Sequence, residues 1–219
     1  DHLVGGIAPG RFADLVIVPA IDRIAAELVI SNGRVIARDG RMTVAPRPHA
    51  YSAKSRHTIA LPRPMAADDF AIRVEGGARE ADVAVIQLIT DLVTKEQMVK
   101  MPVREGQLEC DPDQDLIKVA AIGRRFFPGR CFTGLIRGFG LRSGAMASSV
   151  AWDTANLIAV GADEADMALC INRIRELQGG VVVSRDGNIL AELARPGLGM
   201  IADLPMAEVA GALEKIAEA

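Results

Sequence analysis

Residues 163–193 read DEADMALCINRIRELQGGVVVSRDGNILAEL, and this stretch decides the fold class. Met167, Ile171, Ile174 and Leu177 recur at helical spacing, which puts them on one stripe. Asp163 and Glu164 stand at the start, where acidic groups favour a helix N-terminus. Gly179-Gly180 predicts the stop. GGVVVS then predicts a strand, and VVSRDGNILA a hairpin with a glycine turn. Strands with one or two covering helices make an α+β domain.

The surrounding sequence extends this pattern. FAIRV, DVAVIQLI, QMVKMPV, DLIKVAAI, CFTGLIRGF and NLIAV are short apolar or alternating runs separated by turn residues. Downstream, LPMAEVAGALEKIAEA spaces Met206, Val209, Leu213 and Ile216 as a second helix, with Pro205 where a first-turn proline is tolerated. A mixed-sheet α+β domain is therefore expected over residues 69–219. Before it, Pro46, Pro48, Pro62 and Pro64 predict an extended linker over 46–68, because proline lacks an N–H and fixes φ. Residues 1–45 read separately: a strand over Asp14 to Val18, then a hairpin of Leu28–Ile30 and Arg34–Ala37 around Asn32-Gly33, with Asp39-Gly40 as the next turn.

Composition bounds the function classes. The chain has 219 residues, 50% hydrophobic and 24% charged, with net charge −3. No basic stripe with interleaved aromatics points to nucleic acid. No apolar run approaches the roughly 18 residues of a membrane helix. Cys110, Cys131 and Cys170 are scattered and odd in number, which favours a reduced, cytoplasmic setting. The opening DHLVGGIAPG has no signal-peptide pattern and begins close to a strand, and it reads as an internal cut in a longer polypeptide.

Most catalytic devices lack their parts. His2, His49 and His57 form no metal-binding pair, and the cysteines have no C-x-x-C spacing. There is no G-x-S-x-G. GLIRGFGLRSG carries no phosphate-loop lysine, so Gly138, Gly140 and Gly144 are expected in tight turns. CDPDQD spaces Asp111, Asp113 and Asp115 like calcium ligands, but the glycine and distal glutamate of such a loop are missing, and a turn into DLIKVAAI is the simpler reading. No catalytic residue and no metal ligand is assigned to this chain.

ASSVAWDTANL, residues 147–157, stands out by gathering small polar groups around the single tryptophan. Two readings are open. It is a strand–turn–strand with Trp152 in the core and Asp153 and Asn156 bonding local backbone. Or it is the wall of a binding site, where Trp152 offers a flat face to a purine, Asp153 or Asn156 bond its edges, and Ser148 and Ser149 line the wall.

GLIRGFGLRSGAMASSVAWDTANLIAVG, with GGIAPGRFADLVIV at the front, PMAADDFAIR after the linker and the helix and hairpin of 163–193, resembles the C-terminal part of the bacterial adenine deaminase family, within the amidohydrolase superfamily. The resemblance covers essentially the whole chain. It implies that residues 1–45 end a small β-sandwich that follows a metal-bearing barrel. It implies a parent enzyme converting adenine and water to hypoxanthine and ammonia, with a divalent metal pair, manganese or iron, held by barrel residues upstream. This fragment would bind no cofactor itself, and would shape the substrate site or a subunit interface of a homo-oligomer. One departure matters: many family members read AHDSHN where this chain reads AWDTAN. Asp153 and Asn156 match; Trp152, Thr154 and Ala155 do not. Another aminopurine or a cyclic amide is then an alternative substrate.

Overall fold

The computed structural model describes residues 2–23, 25–45, 49–90, 92–151 and 153–219. Two compact units divide the chain between Ala50 and Tyr51.

The first unit is a small antiparallel sheet, in spatial order β1 (Leu15–Ile17), β2 (Leu28–Ser31), β3 (Arg34–Arg38) and β4 (Arg41–Met42). The β2–β3 turn puts Asn32 and Gly33 at φ 49° and 73°. Positive φ at both central residues matches the twist of the strands, which is why Asn-Gly is used there.

The second unit is α+β. After a one-turn α1 (Ala53–Arg56) come β5 (Ile72–Arg73), β6 (Glu80–Leu88), β7 (Thr94–Arg104), β8 (Gln107–Leu108), β9 (Leu116–Ile122), β10 (Cys131–Arg137), β11 (Ala145–Ser148) and β12 (Leu157–Gly161). Then follow α2 (Glu164–Leu177), β13 (Gly180–Arg185), β14 (Asn188–Ala194) and α3 (Met206–Glu218). Among the described residues the strands form one mixed sheet, in order β14-β13-β11-β12-β9-β10-β6-β7-β8-β5. Among the described residues β10 and β6 are the one parallel pair.

Helix α2 covers one face of this sheet. Asp163 caps it by accepting the Asp166 N–H at 2.8 Å. Met167, Ile171 and Ile174 are fully buried against Ala120, Ala145, Ala147, Leu157 and Ala159. At Gly161 any Cβ would lie 2.5 Å from Met167 Cγ, so glycine is required for that approach. The helix ends one residue before the glycine pair, with Gln178 left-handed at φ 59°. Gly179 serves close packing instead, since a Cβ there would meet the Gly199 backbone at 2.4 Å. Helix α3 packs more loosely, against β14, and none of its residues is fully buried.

The proline-rich stretch supplies core. Ile59, Leu61 and Met65 are 4–5% exposed and pack with Phe70 under α2. Their backbone has no strand partner, and side chains of the α2 end replace one. The Asn172 amide bonds both the N–H and C=O of Met65, at 2.8 and 2.9 Å, and Gln178 does the same for Ile59. An extended segment with prolines can thus be buried when side-chain amides satisfy it.

Two predictions follow from these ties. Asp166, 3% exposed, accepts the N–H groups of Asp186 and Gly187 at 3.0 Å each and so fixes the β13–β14 turn. Asp166→Ala removes both hydrogen bonds to a charged acceptor and is expected to cost about 1.5–3 kcal/mol in urea unfolding. The second concerns acid. Arg63 donates two hydrogen bonds to Asp69, which also accepts the Ala66 N–H, and this holds the Asp69 carboxyl below its usual range. A carboxyl depressed in the folded state stabilises above its unfolded pKa, near ~3.9, and loses that contribution as pH falls through its folded value. Unfolding midpoints at pH 5 and pH 3 should therefore converge slightly in Asp69→Asn relative to wild type, by less than about 1 kcal/mol because Arg63 is exposed.

Candidate functional site

Strand register brings several loops to one end of the sheet. Ile122 of β9 lies opposite both Leu157 and Cys131, so loops 123–130 and 149–156 leave side by side. Ser148 lies opposite Val181, which brings the Gly179-Gly180 crossing to the same end.

Loop 149–156 is pinned at both feet. Ser149 is fully buried. Its hydroxyl donates to the Gly199 carbonyl and accepts the Gly180 N–H at 2.8 Å, while its own N–H donates to Gly180 O at 2.9 Å. At the other foot, Arg124 Nε donates to the Ala155 carbonyl at 2.8 Å. Ala155 is left-handed, φ 54°, and its N–H closes the turn on Ala151 O at 2.7 Å. Arg124 itself is 6% exposed. Its Nη1 has no acceptor among the described residues, and neither does the nearby Thr58 hydroxyl. Gly199 makes room for this guanidinium, since a Cβ there would lie 2.0 Å from Nη1. Burial, and then the neighbouring Arg125, lower the proton affinity of Arg124.

The residues expected to form a binding wall divide accordingly. Ser149 faces inward, with its hydroxyl committed to backbone, and it holds the loop instead of lining a wall. Ser148 is half-buried and accepts the Val150 N–H at 3.0 Å. Asp153 is exposed at the tip, and Asn156 is half-buried beside it, its N–H on Thr154 Oγ at 3.3 Å. Trp152 lies outside the described residues.

Other candidate chemistry resolves into structure. Asp115 sits left-handed at φ 54°, and its carboxylate accepts the N–H groups of Gly138 and Gly140 at 2.8 and 2.9 Å. Asp111 caps the 3-10 turn of Pro112–Gln114. CDPDQD is thus a turn that binds backbone. Among the described residues no three His, Cys, Asp or Glu side chains converge as metal ligands, so a metal pair has no cradle there. No described helix is long and apolar enough to cross a membrane.

A polar cleft of about 510 Å³ lies at the opposite end of the sheet, where Lys118, Glu164, Cys110, Arg104 and Glu109 line it. Lys118 is 1% exposed, and its ammonium pairs with Glu164 at the start of α2. Cys110 Sγ faces Gly161 O at 3.6 Å, and burial pushes its thiol up to about 11, so it is protonated and unreactive at neutral pH. Sequence reading passed over this cleft. Its one signal was a lysine inside the apolar run LIKVAAI.

The fold and its two ends define an α+β domain with a pinned loop that exposes Asp153 and Thr154. Residues 91–219 match the family model for the adenine deaminase C-terminal domain, and the chain belongs to that family. The chain is similar to the adenine deaminase of Methylobacterium nodulans, 43% identical over 98% of its length and 37% of that protein. It is 38% identical to that of Moorella thermoacetica, over 97% of the chain and 36% of the relative, and 31% identical to that of Clostridium botulinum, over 99% and 36%. The chain thus spans little more than a third of the length of these relatives.

The buried ion pair carries a prediction. Glu164→Ala leaves a buried ammonium unpaired and should cost about 2–3 kcal/mol in denaturant unfolding, whereas Lys118→Met, which replaces the charge with an apolar isostere, should cost less than about 1 kcal/mol.

Proposed function

We propose that this chain is the C-terminal part of an enzyme that hydrolyses adenine to hypoxanthine and ammonia, and that it contributes the tip of loop 149–156 to the substrate site. The carrying observation is the family match combined with a loop fixed at Ser149 and Ala155 and exposed at Asp153 and Thr154. In this reading the relatives' remaining sequence supplies an amidohydrolase barrel with a divalent metal pair, manganese or iron, and that pair supplies the activated water. Trp152 gives a face for the purine ring. Asp153 and Asn156 supply an acceptor and an amide for purine edges, and Ser148 supports the wall. Buried feet and an exposed tip suit such a task, because the tip is oriented without the site having to order it.

The replacement of AHDSHN by AWDTAN favours a pocket that grips the purine more by stacking, and another aminopurine or a cyclic amide is the second reading. Assembly into a homo-oligomer in the cytoplasm completes the proposal.

Ammonia release from adenine with Mn²⁺ or Fe²⁺ supplied tests it. The polypeptide extended upstream to the relatives' length should turn over, and the 219-residue chain should not. Trp152→Ala in the extended polypeptide should lower kcat/KM at least about tenfold without altering the unfolding curve. Unchanged kinetics would remove the loop from the site.

A further inference from the structure

Loop 123–130, GRRFFPGR, sits beside the pinned loop and has a charge imbalance. Between Asp115 and Asp153 the chain has no acidic residue and six basic ones, although its net charge is −3. Among the described residues Lys118 and Arg142 find acidic partners. Arg124, Arg125 and Arg130 find none. Arg124 is buried with its charge uncompensated among the described residues, a costly state unless an acid is supplied. Beside it Phe126 and Phe127 are 78% and 67% exposed, and the Arg125 and Arg130 guanidiniums lie 5.7 and 5.9 Å from their ring centroids. Adjacent exposed aromatics rimmed by arginines have the composition of an interface centre.

We infer that loop 123–130 is an inter-domain docking surface, covered in the complete enzyme by an acidic, apolar edge of the sequence that the relatives carry beyond this chain. The inference rests on the proposal that the chain is part of that longer enzyme. Charge complementarity identifies the partner's chemistry: an interface rich in arginine and phenylalanine, with a buried guanidinium at its root, requires carboxylates and apolar side chains opposite. The relatives provide the chain to carry them, since nearly two thirds of their length lies outside the match. Docking here also acts on the proposed site. Arg124, at the root of loop 123–130, holds the Ala155 carbonyl, so a partner seated on the exposed Arg125, Phe126, Phe127 and Arg130 steadies the foot of loop 149–156 through it.

The test is Arg125→Glu with Arg130→Glu in the complete polypeptide. Both side chains are exposed, so the domain itself should fold. Hydrogen exchange in residues 123–130 and 149–156 should rise about tenfold, and a single thermal transition should split in two, with native mass unchanged. Unchanged exchange and a single transition would overturn the inference. So would a wild-type multimer that the double variant dissociates, because a second copy would then be what covers the loop. Failure of the wild-type polypeptide to deaminate adenine would reject the functional proposal alone, and the exchange result would still stand or fall by itself.

Discussion

Helix α2 lies directly on a floor of alanines, and the second unit is built around that close approach. Ala120, Ala145, Ala147 and Ala159 are all at or below 1% exposed, and Gly161 leaves the space that Met167 occupies. Small residues on the sheet let the helix approach until Met167, Ile171 and Ile174 are fully dehydrated. This seat also fixes both ends of the molecule's chemistry. The N-terminus of α2 sets Glu164 on Lys118 and forms the polar cleft. Its C-terminus delivers Gly179 and Gly180 to Gly199 and Ser149, which anchor the loop at the other end.

The two ends carry different charge economies. At the cleft, a buried ammonium has its acid within the same domain. At the loop end, a buried guanidinium has a carbonyl and no acid among the described residues. A domain that folds around an uncompensated charge has a use for an external partner, whereas a satisfied pair does not. This contrast is what the docking inference at the loop end rests on, whereas the cleft pair is satisfied within the domain.

Much of the fold was legible in the sequence. Helical spacing and Asp163 marked α2, and Asn32-Gly33 marked the first hairpin, because those signals act locally. The burial of Ile59, Leu61 and Met65 was not legible, since it depends on amides of Asn172 and Gln178 more than a hundred residues away. Ser149 was misjudged for the same reason: a serine beside a tryptophan reads as polar lining, and only the approach of Gly180 and Gly199 turns it inward. Strand β11 hid in a run of small residues, where alanine and serine give little strand signal but are what a helix-covered sheet needs. The segment 147–157 was singled out by its small polar groups and its single tryptophan, and by resemblance. The division of its residues into feet and tip came from long-range hydrogen bonds.

The central claim is that the tip of loop 149–156 contacts the purine while its feet remain fixed. Hydrogen exchange of the complete polypeptide, with and without an unreactive purine, measures this directly. Protection should appear in residues 150–156 on binding, with the exchange around Ser149 and Gly180 unchanged. A purine that leaves 150–156 as exposed as before would show that the loop serves another surface.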